Sequence, residues 1–213
     1  GGTSNHFVTE ALREVGGWDP YNVTEDADLG MRISRRKLRT AMLNSYTYEE
    51  ANSRFWSWIR QRSRWNKGYV QSYLVHMRHP LKLLKELGLK SFLIFQLTFG
   101  GNIFLPLINP ILWAVTILSL LFRGALQFLF FQPIAFICMV NLILGNGVYM
   151  TLHMGPAILT KNRKAIPYAI LIPLYWMMIS MAAWRGIVQL ISKPFYWEKT
   201  CHGFSVTGGE IGE

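Results

Sequence analysis

Between Glu86 and Glu198 this chain contains neither aspartate nor glutamate. A water-exposed surface of that length would hardly do without carboxylates, whereas helices facing lipid exclude them. Three long apolar blocks fill the interval, at 91–122, 128–160 and 166–191. Each exceeds the roughly 20 residues that a helix needs to cross a bilayer. Pro106 and Asn109-Pro110 interrupt the first block, Gly145 and Gly147 fall in the second, and Pro167 and Pro173 fall in the third. The Lys161-Asn162-Arg163-Lys164 loop belongs on the inner side of a membrane, so the first block crosses outward and the second returns. Lys193 and Lys199 favour an inner tail as well. That leaves the third block either interfacial or balanced by a first block that crosses twice, and three crossings is the expected count.

Charge divides the chain in the same place. Residues 1–90 hold 15 of the 22 basic and 9 of the 12 acidic residues. The net charge of +10 fits basic flanks of membrane spans meeting anionic lipid. A nucleic-acid binder would show a basic face interleaved with aromatics and no membrane anchor, so nucleic acid is excluded as a partner. Cys138 and Cys201 have no metal-ligand spacing, and neither His76, His79, His153 nor His202 is placed as a ligand.

The front of the chain reads as a small α/β piece. Thr9 can cap a short helix over 10–15 that Gly16-Gly17 closes. Thr24 can cap a second helix through about Lys37, with Glu25, Asp26 and Asp28 at its positive start and Arg35, Arg36 and Lys37 at its end. Residues 40–48 read as a strand. From 53 to 77, Phe55, Trp58, Ile59, Arg62, Trp65, Tyr69 and Tyr73 recur at three- and four-residue steps, which predicts a helix. Its Trp and Tyr beside Arg and Lys suit a membrane interface. His79-Pro80 ends it, and a short amphipathic helix follows over 81–89. The α/β piece is too small to bury a good core alone, and the chain begins without an initiator Met or signal peptide. It is read as a fragment.

Two motifs carry chemistry. A carboxylate at a preorganised helix start can deprotonate an acceptor hydroxyl as it attacks an anomeric carbon, and Glu25-Asp26-Ala27-Asp28 offers such groups. By itself the cluster would serve equally to complement a helix dipole. About 35 residues on, Gln61, Arg62, Arg64 and Trp65 combine guanidinium forks suited to a diphosphate with an aromatic face suited to a pyranose. An interfacial helix with snorkelling Arg and an anchoring Trp is the plainer reading of those four alone.

Taken together, Gly16-Gly17-Trp18-Asp19, Thr24-Glu25-Asp26, Asp28-Leu29-Gly30, Gln61-Arg62-Ser63-Arg64-Trp65, Gly68 and Gln71 resemble the family 2, GT-A-type membrane glycosyltransferases, the cellulose, chitin and hyaluronan synthases. The resemblance is strong over residues 1–80 and architectural beyond. It implies an inverting transfer of a sugar from a nucleotide diphosphate donor, UDP-linked, to a growing β-linked glycan. Asp26 would be the general base, Gln61 and Arg64 would contact the diphosphate, and Trp65 would line the acceptor site. Arg62 and Glu25 would support them, and Asn5, in the small-residue segment Gly1-Gly2-Thr3-Ser4-Asn5, would reach sugar hydroxyls. Phe204-Ser205-Val206-Thr207 is similar to a gating loop of the cellulose synthases, with Gly209 where that loop has Lys. The run from Lys193 to Thr200 (KPFYWEKT) is similar to the tail of a bacterial subgroup.

The family's nucleotide-binding first half, with its Asp-x-Asp for Mg²⁺ or Mn²⁺, is the expected missing partner, so no metal ligand is assigned here and the piece alone is expected to be inactive. The expected organisation is an α/β remnant of the transferase domain (1–52), interfacial amphipathic helices (53–90), an α-helical transmembrane bundle (91–192) and a tail with a possible gating loop (193–213). Nucleotide-sugar donor, glycan acceptor and membrane lipid are the expected partners. The expected setting is a cell membrane, multi-pass, with 1–90 cytoplasmic. Other classes remain open: a non-catalytic membrane scaffold or partner subunit, a transporter-like or lipid-binding bundle, and a non-processive transferase with a lipid-linked acceptor.

Overall fold

A computed structural model describes residues 4–198 apart from 46, 48, 50, 123–135, 137–139 and 141–143. Helices follow one another as Thr9–Glu14 (α1), Glu25–Arg35 (α2), Phe55–His76 (α3), Pro80–Phe95 (α4), Gly101–Leu121 (α5), Asn146–Leu159 (α6) and Ile172–Ser192 (α7). A π-helical turn at Gln96–Gly100 joins α4 to α5, and a 3₁₀ stretch at Arg163–Leu171 leads into α7. The chain divides into two compact units, residues 1–105 with 181–213, and residues 106–180.

In the first unit, α1 closes as its glycines require: Gly16 and Gly17 take φ of 85° and 66°, a region costly for any residue with a Cβ. Val15, Leu29 and Ile33 make a small buried cluster, packed by Phe7, Leu12 and Leu38. A second cluster forms where Met31 of α2 meets Leu83 and Phe95 of α4, beside Tyr73 and Met77. Helix α3 approaches α7 closely because the facing residues are small. Ser63 donates to the Ala182 carbonyl at 3.0 Å, and a Cβ on Gly186 would stand 2.8 Å from the Ser63 carbonyl oxygen. Small residues permit this approach of two backbones.

Several expectations change at this level. Residues 40–45 and 47 form no strand, and no strand occurs among the described residues. A lone strand would leave its N–H and C=O groups unpaired, and Met42, 99% exposed, has nothing to pack on. The α/β expectation is therefore not met by the described residues, which are helical. Thr24 precedes α2 but its side chain does not cap it. Its hydroxyl donates instead to Asn22 Oδ1 at 3.3 Å, and the same oxygen accepts the Thr24 N–H at 3.0 Å. Likewise α1 starts at Thr9 itself, after Val8, so Thr9 is not its cap. The short helix expected at 81–89 is present but runs on: Pro80 opens α4, and Gly88 bends it with φ of 76° before the helix resumes.

Nor do Pro106 and Pro110 interrupt the first apolar block. α5 continues through both, as helices in lipid do when neighbouring groups take up the freed carbonyls. Two helical stretches, Pro80–Leu118 and Arg163–Ser192, are long and apolar enough to cross a membrane. Only 11% and 22% of their most apolar windows are buried, unlike core helices of a water-soluble protein, so membrane association is the reading their exposed hydrocarbon favours. Residues 128–135, 137–139 and 141–143 of the second apolar block, Cys138 among them, lie outside the described residues, as do Cys201, His202, the Phe204–Thr207 match and Gly1-Gly2-Thr3.

Within the second unit, Asn109 donates to Ser180 Oγ at 3.2 Å, and Ser180 in turn donates to the Trp176 carbonyl at 2.9 Å. This short polar ladder keeps an amide and a hydroxyl satisfied inside an apolar setting. Tyr149 and Trp176 meet edge to face, with centroids 5.1 Å apart.

Candidate functional site

The 22–24 turn is where α2 and α3 are joined. Asn22 is buried and donates from Nδ2 to Ser72 Oγ at 2.8 Å. The Val23 carbonyl accepts from an Arg64 guanidinium N–H at 3.3 Å, and the Val23 N–H donates to Gln71 Oε1 at 3.4 Å. Gly68 lies directly against Thr24, where any Cβ would overlap the threonine side chain. Gln61, Arg64, Trp65 and Gly68 fall three and four residues apart, on one face of α3. That face therefore looks onto the start of α2, which carries Glu25 and Asp26. Two motifs separated by 35 residues in sequence meet in space.

Electrostatics follow the geometry. Burial pushes the Arg64 guanidinium downward, against the opposing pull of the Glu25 and Asp26 carboxylates. Burial raises the Tyr69 hydroxyl, and the Asp26 carboxylate adds to that. Asp26 thus stands within electrostatic reach of two α3 side chains. Its neighbour Asp28 does a different job. Its two oxygens accept from Arg32 Nε at 2.8 Å and meet His76 Nε2 at 3.0 Å, with the Asp28 and His76 side chains almost fully buried. Burial alone would raise the Asp28 carboxyl, but the His76 and Arg32 hydrogen bonds and charges hold it below its ordinary value. Arg35 continues the network, 3.1 Å from His76 Nδ1 and paired with Glu86 at 2.6 Å. The result ties α2 to α3 and α4.

Asp26-Ala27-Asp28 has the Asp-x-Asp spacing, but it does not fit a metal site. On a helix the two carboxylates point roughly 200° apart, and Asp28 is fully engaged. No group of three His, Cys, Asp or Glu side chains able to hold a metal occurs among the described residues.

Residues 193–198 lie along α3 beside the 22–24 turn like a strap. Lys67 is 0% exposed, and its ammonium donates to the Tyr196 carbonyl at 2.6 Å and the Lys193 carbonyl at 3.3 Å. Burial lowers its pKa, the Glu198 charge opposes that, and the Arg185 and Arg64 charges reinforce it. Gln71 Nε2 donates to the Pro194 carbonyl at 3.0 Å. Glu198 accepts both terminal nitrogens of Arg185, at 2.7 and 2.9 Å, and Gln189 at 3.0 Å. The bidentate Arg185 hydrogen bonding is the main reason the Glu198 carboxyl is depressed. Trp197 then lies beneath the Arg64 guanidinium, 5.0 Å from it.

Sequence reasoning singled out Asp26, Glu25, Gln61, Arg62, Arg64 and Trp65, and the fold sets these on α2 and α3 around one turn. Arg62 sits over the Trp65 ring at 4.2 Å and the Trp58 ring at 5.4 Å, so one face of Trp65 is covered. The Nε atoms of Arg62 and Arg64 are buried without a hydrogen-bond partner among the described residues. Asn5 is exposed, and no hydrogen bond ties it to α2 or α3. Asn22 and Ser72 were not singled out, His76 was read as no ligand, and Lys67 was counted among cations that either serve an anionic nucleotide-sugar or flank the membrane. For Lys67, Ser72 and His76 the three-and-four spacing of α3 was the available signal, and Asn22, outside that helix, had none.

Residues 2–188 match the family model described as Glycosyl transferase family group 2. Over 100 residues the chain is 33% identical to the beta-monoglucosyldiacylglycerol synthase of Synechocystis sp. (strain ATCC 27184 / PCC 6803 / Kazusa), covering 45% of this chain and 21% of that protein. The chain thus spans about a fifth of that relative's length. No solved structure matches the chain.

Proposed function

Because the chain belongs to glycosyl transferase family group 2, and so to a class of glycosyltransferase enzymes, we propose that it supplies the base and the diphosphate-facing side of an inverting transferase. The donor is a nucleotide diphosphate sugar, UDP-linked, and the acceptor is a growing β-linked glycan at the membrane. The observation that carries this reading is the double hold on Val23, through which Arg64 and Gln71 bring the QxxRW face of α3 against the Glu25-Asp26 start of α2.

In this reading Asp26 takes the proton of the acceptor hydroxyl as its oxygen attacks the anomeric carbon. The bond from that carbon to the diphosphate oxygen breaks on the opposite face, which inverts the centre. Arg64 and Gln61 bind the departing diphosphate through guanidinium and amide donors. Trp65 forms the acceptor platform, with Arg62 stacked on it, while Glu25 maintains the cationic Arg64. Asn5 keeps a lesser role toward sugar hydroxyls. The family commonly employs a divalent metal, Mg²⁺ or Mn²⁺, but the residues present do not fit one, and no step here passes through it. The GT-A-type α/β architecture, a multi-pass placement in the cell membrane with 1–90 cytoplasmic, and a nucleotide-binding half as partner belong to the same proposal.

A second reading is favoured by the name of the Synechocystis relative, which points to transfer of one glucose to a diacylglycerol. Site and chemistry stay the same and only the acceptor differs. Membranes from cells expressing the encoding gene, given radiolabelled UDP-sugar, separate the two. A polymeric product supports the glycan acceptor, and a single-sugar lipid supports the second reading. In the same membranes Arg64→Ala is expected to weaken UDP binding about 10- to 100-fold, the loss of a charge-assisted donor. UDP binding unchanged by that substitution would remove Arg64 from the diphosphate site.

A further inference from the structure

Beside the catalytic turn lies a cleft lined by Trp18, Asp19, Pro20, Asn22, Glu25 and Trp197. Its two walls come from segments far apart in sequence, the loop before α2 and the strap after α7. They are held in register by the edge-to-face contact of Tyr21 with Phe195, 5.7 Å between centroids, and by Lys67 and Gln71 gripping the strap backbone. Trp18 and Trp197 are large aromatic side chains left 49% and 48% exposed at its rims. Each has one side engaged, Trp18 edge to face with Phe7 at 5.8 Å and Trp197 under Arg64 at 5.0 Å, which fixes the rings and leaves surface on the cleft side.

The lining selects the ligand. Aromatic faces take up the C–H face of a pyranose, and carboxylate and amide groups bind its hydroxyls. Asp19 uses one oxygen on the Tyr21 N–H at 2.9 Å, leaving the other as an acceptor, and Glu25 is free of any side-chain hydrogen bond among the described residues. Two carboxylates repel a phosphate, so the cleft itself disfavours an anionic ligand.

We propose that the Trp18–Trp197 cleft is a glycoside subsite that binds a neutral, hydroxyl-rich sugar of the acceptor, next to the Asp26 turn and apart from the diphosphate side. This rests on the transferase reading above, but it extends the acceptor contacts from Trp65 to Trp18 and Trp197, to which the motifs assigned no role. It also gives the strap a task, to carry one wall of the subsite.

The test needs no turnover, so it stands or falls separately from catalysis. Saturation-transfer NMR with methyl β-D-glucopyranoside is run on the full chain in lipid nanodiscs, with uridine 5′-monophosphate as competing probe. The expected result is a glycoside signal that Trp18→Ala and Trp197→Ala each weaken about fivefold, that Trp18→Phe and Trp197→Phe largely restore, and that the nucleotide does not displace. Trp56→Ala, which removes an exposed indole elsewhere on α3, leaves the signal intact. No glycoside signal, a signal indifferent to both alanine variants, or displacement by the nucleotide would each overturn the proposal. Loss of sugar transfer in Asp26→Asn with glycoside binding retained would uphold both it and the catalytic reading. Glycoside binding with transfer unaffected by Asp26→Asn would leave the subsite standing and bring down the assignment of the base.

Discussion

Around the 22–24 turn, buried polar groups are tied to one another: Asn22 with Ser72, Asp28 with Arg32 and His76, Lys67 with two carbonyls. Along α5 the reverse holds, for Leu105, Ile108, Ile111, Leu112, Ile117 and Leu118 stand exposed and its side-chain polar groups are few. Buried hydrogen-bonded networks specify one arrangement at a high cost for any missing member. Bare hydrocarbon specifies only its solvent. The contrast separates a geometry needed for chemistry, which is tied by direction-dependent bonds, from a surface that lipid completes.

Breaking a member of the polar network gives the largest expected loss of stability. Asp28→Ala leaves His76 and Arg32 facing an empty buried site and is expected to cost about 3–5 kcal/mol, read as a drop in the unfolding midpoint of the detergent-solubilised chain. An equal substitution on α5 should hardly register in that assay. The apolar surface is probed instead by Leu112→Lys, which should impair membrane insertion by about 2.5–3.5 kcal/mol, measured by glycosylation mapping. Normal insertion would mean that this face of α5 meets water.

Close packing lies between these extremes. Gly186→Ala brings a methyl group against the Ser63 carbonyl and must push α7 from α3, at about 1–3 kcal/mol. Because Lys67 and the strap sit at the same crossing, glycoside binding should weaken with it. The smallest effect concerns pH. Asp28 has a depressed folded pKa, so its stabilisation is complete above the ordinary carboxylate value of 3.8 and disappears as pH falls through the lower folded value. Melting of the wild type should therefore lose an increment below about pH 4 that Asp28→Asn does not show. Parallel curves for the two proteins would detach Asp28 from the stability of the junction.

The helices of this chain were legible because their signals are local. The three-and-four spacing from Phe55 to Tyr73 marks α3, and Gly16-Gly17 marks the end of α1. The pairing of the acidic turn with the QxxRW face was also legible, though from resemblance, since no local rule brings residues 35 apart together. Three kinds of feature were not. Thr24 looks like a cap, but Asn22 two residues earlier captures its hydroxyl. Residues 40–48 have a strand's composition, and no partner strand occurs among the described residues. Lys67 reads as one more interfacial cation, and only the strap, over 120 residues later, makes it a buried tether. In each case the deciding partner is non-local.

The measurement closest to the central claim is sugar transfer from UDP-sugar by membranes in which the encoding gene carries Asp26→Asn, alongside UDP binding and thermal unfolding. The account predicts that transfer falls about 10²- to 10⁴-fold, the usual contribution of a positioned base, while UDP binding and the unfolding midpoint stay at wild-type values. Transfer within a few-fold of wild type would contradict it, and the α2 carboxylate would then be a helix-start charge and nothing more.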